Sequence, residues 1–88
     1  MEKKDYISWI ISWFQKKSNV LEVDLQADFF SSGLLDSFKT LELITDIETS
    51  LKISLPDSAL TDTRFYNING LADILSEIKH FEEADNVE

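Results

Sequence analysis

The sequence predicts an all-α fold, built from three amphipathic helices and one long ordered loop. Three observations lead to that class. Apolar residues recur at helical spacing over residues 3–17, 37–51 and 67–81, the pattern of a helix with one buried face. Two-residue alternation is weak and confined to residues 20–25, and a lone strand has nothing to pair with. The single proline, Pro56, falls between the second and third periodic stretches, where a helix interior would not tolerate it.

In the first helix Ile7, Ile10, Ile11 and Phe14 stand at i, i+3, i+4 and i+7, one apolar stripe. Trp9 and Trp13 widen that stripe and are read as core rather than as a docking face, because a small domain has few large apolar residues to spare. Lys16 and Lys17 suit a helix C-terminus, and Ser18-Asn19 ends the helix. Residues 18–36 scatter Val20, Leu21, Val23, Leu25, Phe29 and Phe30 among Glu22, Asp24 and Asp28. They read as a loop pinned across the helices by its apolar side chains, and connections of that length tend to be functional.

The second helix opens at Ser37, with Asp36 as its N-cap. Leu41, Leu43, Ile44, Ile47 and Leu51 are assigned to one broad buried face, with Glu42, Thr45, Asp46 and Thr49 opposite. Phe38 has two readings, an exposed aromatic beside the carboxylates or a side chain folded back over the loop. Residues 57–66 are expected to hold a turn of helix at most, with Leu60 and Phe65 inward. The last helix takes Asn67 as N-cap and repeats Ile68, Leu71, Leu75 and Ile78. Gly70 in its first turn costs about 1 kcal/mol relative to Ala. His80 is read as a favourable cation near the helix C-terminus. The expected organisation is one domain over residues 1–81 and an acidic, disordered tail over 82–88.

A chain of 88 residues, 43% hydrophobic, supports one small core. It has no cysteine, which excludes a disulfide framework and thiolate metal ligands. The N-terminal apolar run is short, interrupted by Ser8 and Ser12, and is not read as a signal peptide. No stretch approaches the roughly 18 apolar residues of a membrane span, so a soluble, cytoplasmic protein is expected, and it is taken as a monomer. Seventeen acidic residues against eight basic ones give a net charge of −9. That balance argues against nucleic acid and anionic membranes as partners and favours basic protein surfaces.

Catalytic chemistry is missing. The one histidine, His80, is far in sequence from Ser37, so no general base for a serine nucleophile is at hand. Metal-ligand spacing and a glycine-rich phosphate loop are also absent. The chain reads as a non-enzyme. Ser37, however, stands at a helix N-terminus, where unpaired N–H groups and the helix dipole stabilise an attached anion. It reads as the attachment point of a phosphate-linked prosthetic group.

Gly33-Leu34-Leu35-Asp36-Ser37-Phe38 resembles the Gly-x-x-Asp-Ser-Leu motif of acyl carrier proteins. Phe29-Phe30, Glu42-Leu43, Ile53-x-Leu55-Pro56 and Ile68-x-x-Leu71 fit the family pattern in order, so the resemblance spans roughly residues 4–80. It implies a four-helix bundle with a short third helix. It also implies 4′-phosphopantetheine on Ser37, installed from coenzyme A by a magnesium-dependent phosphopantetheinyl transferase that Asp36 helps to engage. Glu42, Asp46 and Glu48 are the implied contacts for that transferase and for loading ligases or synthases with basic docking surfaces, and Phe38, if exposed beside them, adds an apolar contact nearest the arm. Phe38 in place of the usual leucine, and Lys39 after it, depart from fatty-acid-synthesis carriers. The Leu-Leu-Asp-Ser-Phe form is similar to D-alanyl carrier proteins and to some specialised stand-alone carriers. The cargo, acyl or aminoacyl, stays open. The alternative is an acidic helical interaction module without a prosthetic group.

Overall fold

The computed structural model describes residues 2–18 and 24–85. They form four α-helices, α1 (Lys3–Ser18), α2 (Ser37–Ser50), α3 (Asp57–Leu60) and α4 (Ile68–Asp85), with a 3₁₀ turn at Thr63–Tyr66 between the last two. No strand occurs among the described residues. This is the all-α, four-helix architecture of acyl-carrier type, with the short third helix that the family resemblance implies.

The core is apolar throughout. Tyr6, Ile10, Trp13 and Phe14 from α1 meet Leu71, Ala72, Ile74 and Leu75 from α4, with Leu43 and Ile47 of α2 and Phe29 of the loop beside them. A buried side chain of this size contributes about 1.5–3 kcal/mol of hydrophobic stabilisation. Phe14 is the aromatic hub, with ring centroids 5.2 Å from Trp13 edge-on and 5.3 Å from Phe29. Both geometries suit aromatic quadrupoles. At the rim, Lys3 Nζ lies 2.9 Å from Asp73 Oδ1 and ties α1 to α4.

Several expectations need correction. The apolar pattern assigns Leu41 to the buried face of α2, yet it is 65% exposed. At 100° per residue it stands about 160° from Leu43 and 120° from Ile47, the two residues of α2 that are fully buried. Ile44 is only half-buried. The core strip of α2 is therefore narrower than its apolar content suggests. Leu60, expected inward, is partly exposed, while Phe65 is buried as expected. Helix α4 continues to Asp85, through the first part of the expected tail and five residues past His80. His80 accordingly sits on the surface of the helix rather than in its last turn. Residues 86–88, like Val20, Leu21, Glu22 and Val23, lie outside the described residues.

Helix α2 stops without a glycine. Leu51 keeps a helical conformation and donates its N–H to Ile47 O, and Lys52 then adopts a left-handed conformation with φ of 55°. A left-handed residue there turns the chain away from the helix axis. Glu48 Oε2 accepts the N–H of Leu55 at 3.0 Å, which holds the departing chain against the helix that it has left.

Arg64 organises the segment before α4. Its guanidinium bonds both oxygens of Asp62 and both oxygens of Glu77 on α4. The side-chain bond from Arg64 holds the Asp62 carboxyl below its ordinary value, and the bond from the Arg64 backbone N–H adds to that effect. The same residue explains Gly70. A Cβ built there would overlap the Arg64 carbonyl oxygen and lie 2.9 Å from its carbonyl carbon. Gly70 is the residue that lets α4 approach the 3₁₀ turn, so the expected cost of a helical glycine is offset by the contact it permits.

Candidate functional site

The loop before α2 places Ser37. Phe29 is fully buried and donates its N–H to Tyr66 O at 2.6 Å, which anchors the loop on the 3₁₀ turn. Asp28 caps the turn that follows, accepting the N–H groups of Phe30 and Ser31 at 2.8 and 2.9 Å. Gly33 supplies the positive φ of 79° that reverses the chain. Leu35 then returns to the core and donates to Phe29 O at 3.0 Å. A residue two positions beyond a buried Leu35 is thereby held at a fixed place on the surface. The expectation of a pinned loop holds over residues 24–36.

Asp36 is the N-cap of α2, as the sequence indicates. Its Oδ1 accepts the Lys39 N–H at 2.8 Å, and its carbonyl accepts the Thr40 N–H at 2.9 Å. Ser37 is the first residue of the helix and is exposed. Its hydroxyl lies at the positive end of a helix of 14 residues, where a phosphodiester is favoured. The donor set thus fits a phosphate-linked arm, with an accessible alcohol, helix N–H groups beside it, and the capping carboxylate turned to Lys39.

Phe38 is 71% exposed, which selects the first of its two readings. It is not folded over the loop. With Leu41 it forms an apolar pair one turn apart, immediately beyond Ser37. Phe38, Leu41, Glu42, Thr45, Asp46 and Lys17 line one shallow groove.

The three carboxylates of α2 are not equivalent. The helical wheel turns Asp46 to solvent, but Trp13 Nε1 donates to its Oδ2 at 2.7 Å. Lys17 Nζ stands 4.0 Å from the same oxygen and 3.9 Å from Glu42 Oε2. Glu48 is exposed, but one of its oxygens holds the Leu55 N–H. Asp24 and Asp28 of the loop spend their carboxylates on backbone N–H groups of their own turns. Sequence reasoning missed Leu41, Trp13 and Lys17 at this surface. Trp13 lies 33 positions from Asp46, and no local pattern reports such a pairing.

Among the described residues no cluster of three or more His, Asp or Glu is placed to hold a metal ion. Among the same residues no helix is long and apolar enough to cross a membrane.

An accessible serine opening a capped surface helix in a small helical bundle is the arrangement that a carrier-type protein requires. A family model described as "Phosphopantetheine attachment site" matches residues 9–75, and the chain belongs to that family of phosphopantetheine-binding carriers. Its cofactor is covalently attached 4′-phosphopantetheine. The chain is similar to the D-alanyl carrier protein of Bacillus pumilus, 33% identical over 79 residues, which is 90% of this chain and all of that protein. It is 36% identical over 56 residues to the D-alanyl carrier protein of Lactococcus lactis subsp. lactis, covering 64% of this chain and 71% of the relative. A shorter match, 55% identical over 31 residues, covers 35% of this chain and 40% of the D-alanyl carrier protein of Leuconostoc citreum.

Proposed function

We propose that Ser37 carries the 4′-phosphopantetheine arm and that the cargo is an aminoacyl group, D-alanine, held as a thioester. The arm supplies the thiol that this cysteine-free chain lacks. The observation that carries the assignment is the placement of Ser37, exposed at the first position of α2 behind a cap formed by Asp36. The reading of the cargo is supported by the relatives named D-alanyl carrier protein, one of which is matched along its whole length.

In this reading the polypeptide performs no catalysis of its own. It shuttles cargo in the cytoplasm, where coenzyme A and adenylating enzymes are found. Its own residues bind and orient. The helix N-terminus favours the phosphodiester, Asp36 holds the first turn and engages the transferase, and the rigid loop keeps the arm at one exit point. The phosphopantetheinyl transferase and an adenylating ligase meet the outer face of α2. Phe38 is the direct apolar contact, and Glu42, Asp46 and Glu48 offer only the charge and acceptor capacity that Lys17, Trp13 and Leu55 leave them.

Intact mass tests the reading. Incubation with coenzyme A, magnesium and a broad-specificity transferase is expected to add one phosphopantetheinyl group. Further incubation with D-alanine, ATP and an adenylating D-alanine ligase is expected to add one alanyl group. Absence of the first addition overturns the carrier assignment. The first addition without the second overturns the D-alanyl cargo alone.

A further inference from the structure

The acids of α2 do not stand alone at the groove beside Ser37. Lys17, near the end of α1, reaches across to both Glu42 and Asp46, at 3.9 and 4.0 Å, and its side chain remains about half exposed. Contacts that long, at a wet surface, add little to stability. Their effect on an approaching protein is another matter. One cation set between two carboxylates roughly halves the local charge that a partner meets, and the encounter rate follows that local field. Asp46 is further committed by the indole N–H of Trp13, which is 5% exposed and donates to it at 2.7 Å. The acidic stripe legible in the sequence is thus matched largely from within the chain.

The same groove offers Phe38 and Leu41, 71% and 65% exposed. They stand about 60° apart around the helix, and about 1.5 and 6 Å along it from Ser37. An enzyme that works at the tip of a long arm can keep its distance from these residues. The transferase that modifies Ser37 cannot, since its active site must touch the serine hydroxyl itself and so covers the next turn of α2.

We infer that Lys17 is a specificity-determining residue that screens Glu42 and Asp46, so that the phosphopantetheinyl transferase engages this carrier through an apolar contact with Phe38 and Leu41. The inference rests on Ser37 as the attachment point. It adds that the enzyme surface opposite α2 presents apolar side chains at the mouth of its active site, and that a ring of basic residues there finds little unmatched charge.

The test is the rate constant kcat/KM for phosphopantetheine transfer from coenzyme A by a broad-specificity transferase with a basic docking surface. It is measured from about 0.01 M salt, where the Debye length is near 30 Å, to about 0.15 M, where it is near 8 Å. The net charge of −9 gives the wild type some salt dependence of its own, so the control must alter charge equally elsewhere. Lys4→Gln serves. Lys4 pairs with Glu2 at the opposite end of α1, about 20 Å from Lys17 along the helix. Lys17→Gln is expected to load faster than Lys4→Gln at low salt, by about threefold or more, and the advantage is expected to vanish at the higher salt. Phe38→Ser combined with Leu41→Ser is expected to lower kcat/KM about tenfold at both salts, with an unchanged circular dichroism spectrum because both side chains lie outside the core.

Equal salt dependence in Lys17→Gln and Lys4→Gln overturns the screening role. Wild-type loading of the Phe38→Ser, Leu41→Ser variant overturns the apolar contact. In both cases the arm still appears on the wild type, so the carrier assignment stands. No arm on the wild type overturns that assignment and this inference with it.

Discussion

Asp46→Ala separates the surface seen in the structure from the one expected on a helical wheel. On the wheel Asp46 faces solvent, and its loss should leave stability unchanged. In the structure it accepts a 2.7 Å bond from the buried indole of Trp13. A hydrogen bond to a charged group contributes about 1.5–3 kcal/mol, and a buried donor left without a partner carries a similar penalty. The Asp46 side chain is 38% exposed, so water can reach the vacated site and the lower half of that range applies. The Lys17 contact at 4.0 Å adds at most a few tenths of a kcal/mol, and alanine returns roughly 0.5 kcal/mol in helix propensity. The net loss is about 1–2 kcal/mol. At about 4–8 °C per kcal/mol for a domain of this size, the melting temperature falls by about 4–15 °C. Far-ultraviolet circular dichroism during heating measures it. Asp46→Asn, which retains an acceptor, should lose less. Glu42→Ala, which removes only a long contact to Lys17, should stay within about 0.5 kcal/mol of wild type. An Asp46→Ala protein that melts with the wild type, or a Glu42→Ala protein that melts well below it, would refute this reasoning.

Two further outcomes test the support of the site. Gly70→Ala, which propensity alone would favour by about 1 kcal/mol, is expected to destabilise by about 1–3 kcal/mol, because the new methyl group overlaps the Arg64 carbonyl. A raised denaturant midpoint would show that the turn yields freely. Asp62, whose folded carboxyl titrates below its ordinary value, contributes stability that is present above about pH 4 and is lost as pH falls through the folded value. The gap in denaturant midpoint between wild type and Asp62→Asn should therefore hold steady above about pH 4 and narrow as the pH is lowered further, and a gap that does not change down to the acid limit of folding would count against the Arg64 network.

Much of this architecture is written locally, and local features are what a single sequence displays. Asp36 and Asn67 cap their helices within three residues of themselves, so both are legible: Asp36 accepts from Lys39 and Asn67 from Gly70. The buried residues of α1 and α4 follow from a spacing that repeats over several turns. Ser37 is legible for the same reason, as a hydroxyl directly after a cap. What the sequence hides is set by residues far apart in the chain. Leu41 is apolar and invites assignment to the core by residue type, although its angle sets it about 120–160° away from Ile47 and Leu43. Only the packing of α1 and α4 limits that strip to Leu43 and Ile47. The partners of Asp46 and Glu42 come from α1, and the role of Gly70 depends on where the backbone of Arg64 passes. The end of α2 carries no glycine signal, because Lys52 takes the left-handed conformation that glycine ordinarily fills.

The central claim is that one hydroxyl, that of Ser37, bears the arm. After loading from coenzyme A, trypsin releases the segment between Lys17 and Lys39, which contains Ser18, Ser31, Ser32 and Ser37. Ser31 and Ser32 are exposed too, but they lie in the turn capped by Asp28 rather than at a helix N-terminus. Fragmentation of that peptide in a mass spectrometer assigns the added mass to one serine. The structure leads us to expect all of it on Ser37, and none on the peptide from Ser37→Ala. Phosphopantetheine found on Ser31 or Ser32, or retained by Ser37→Ala, would contradict the account.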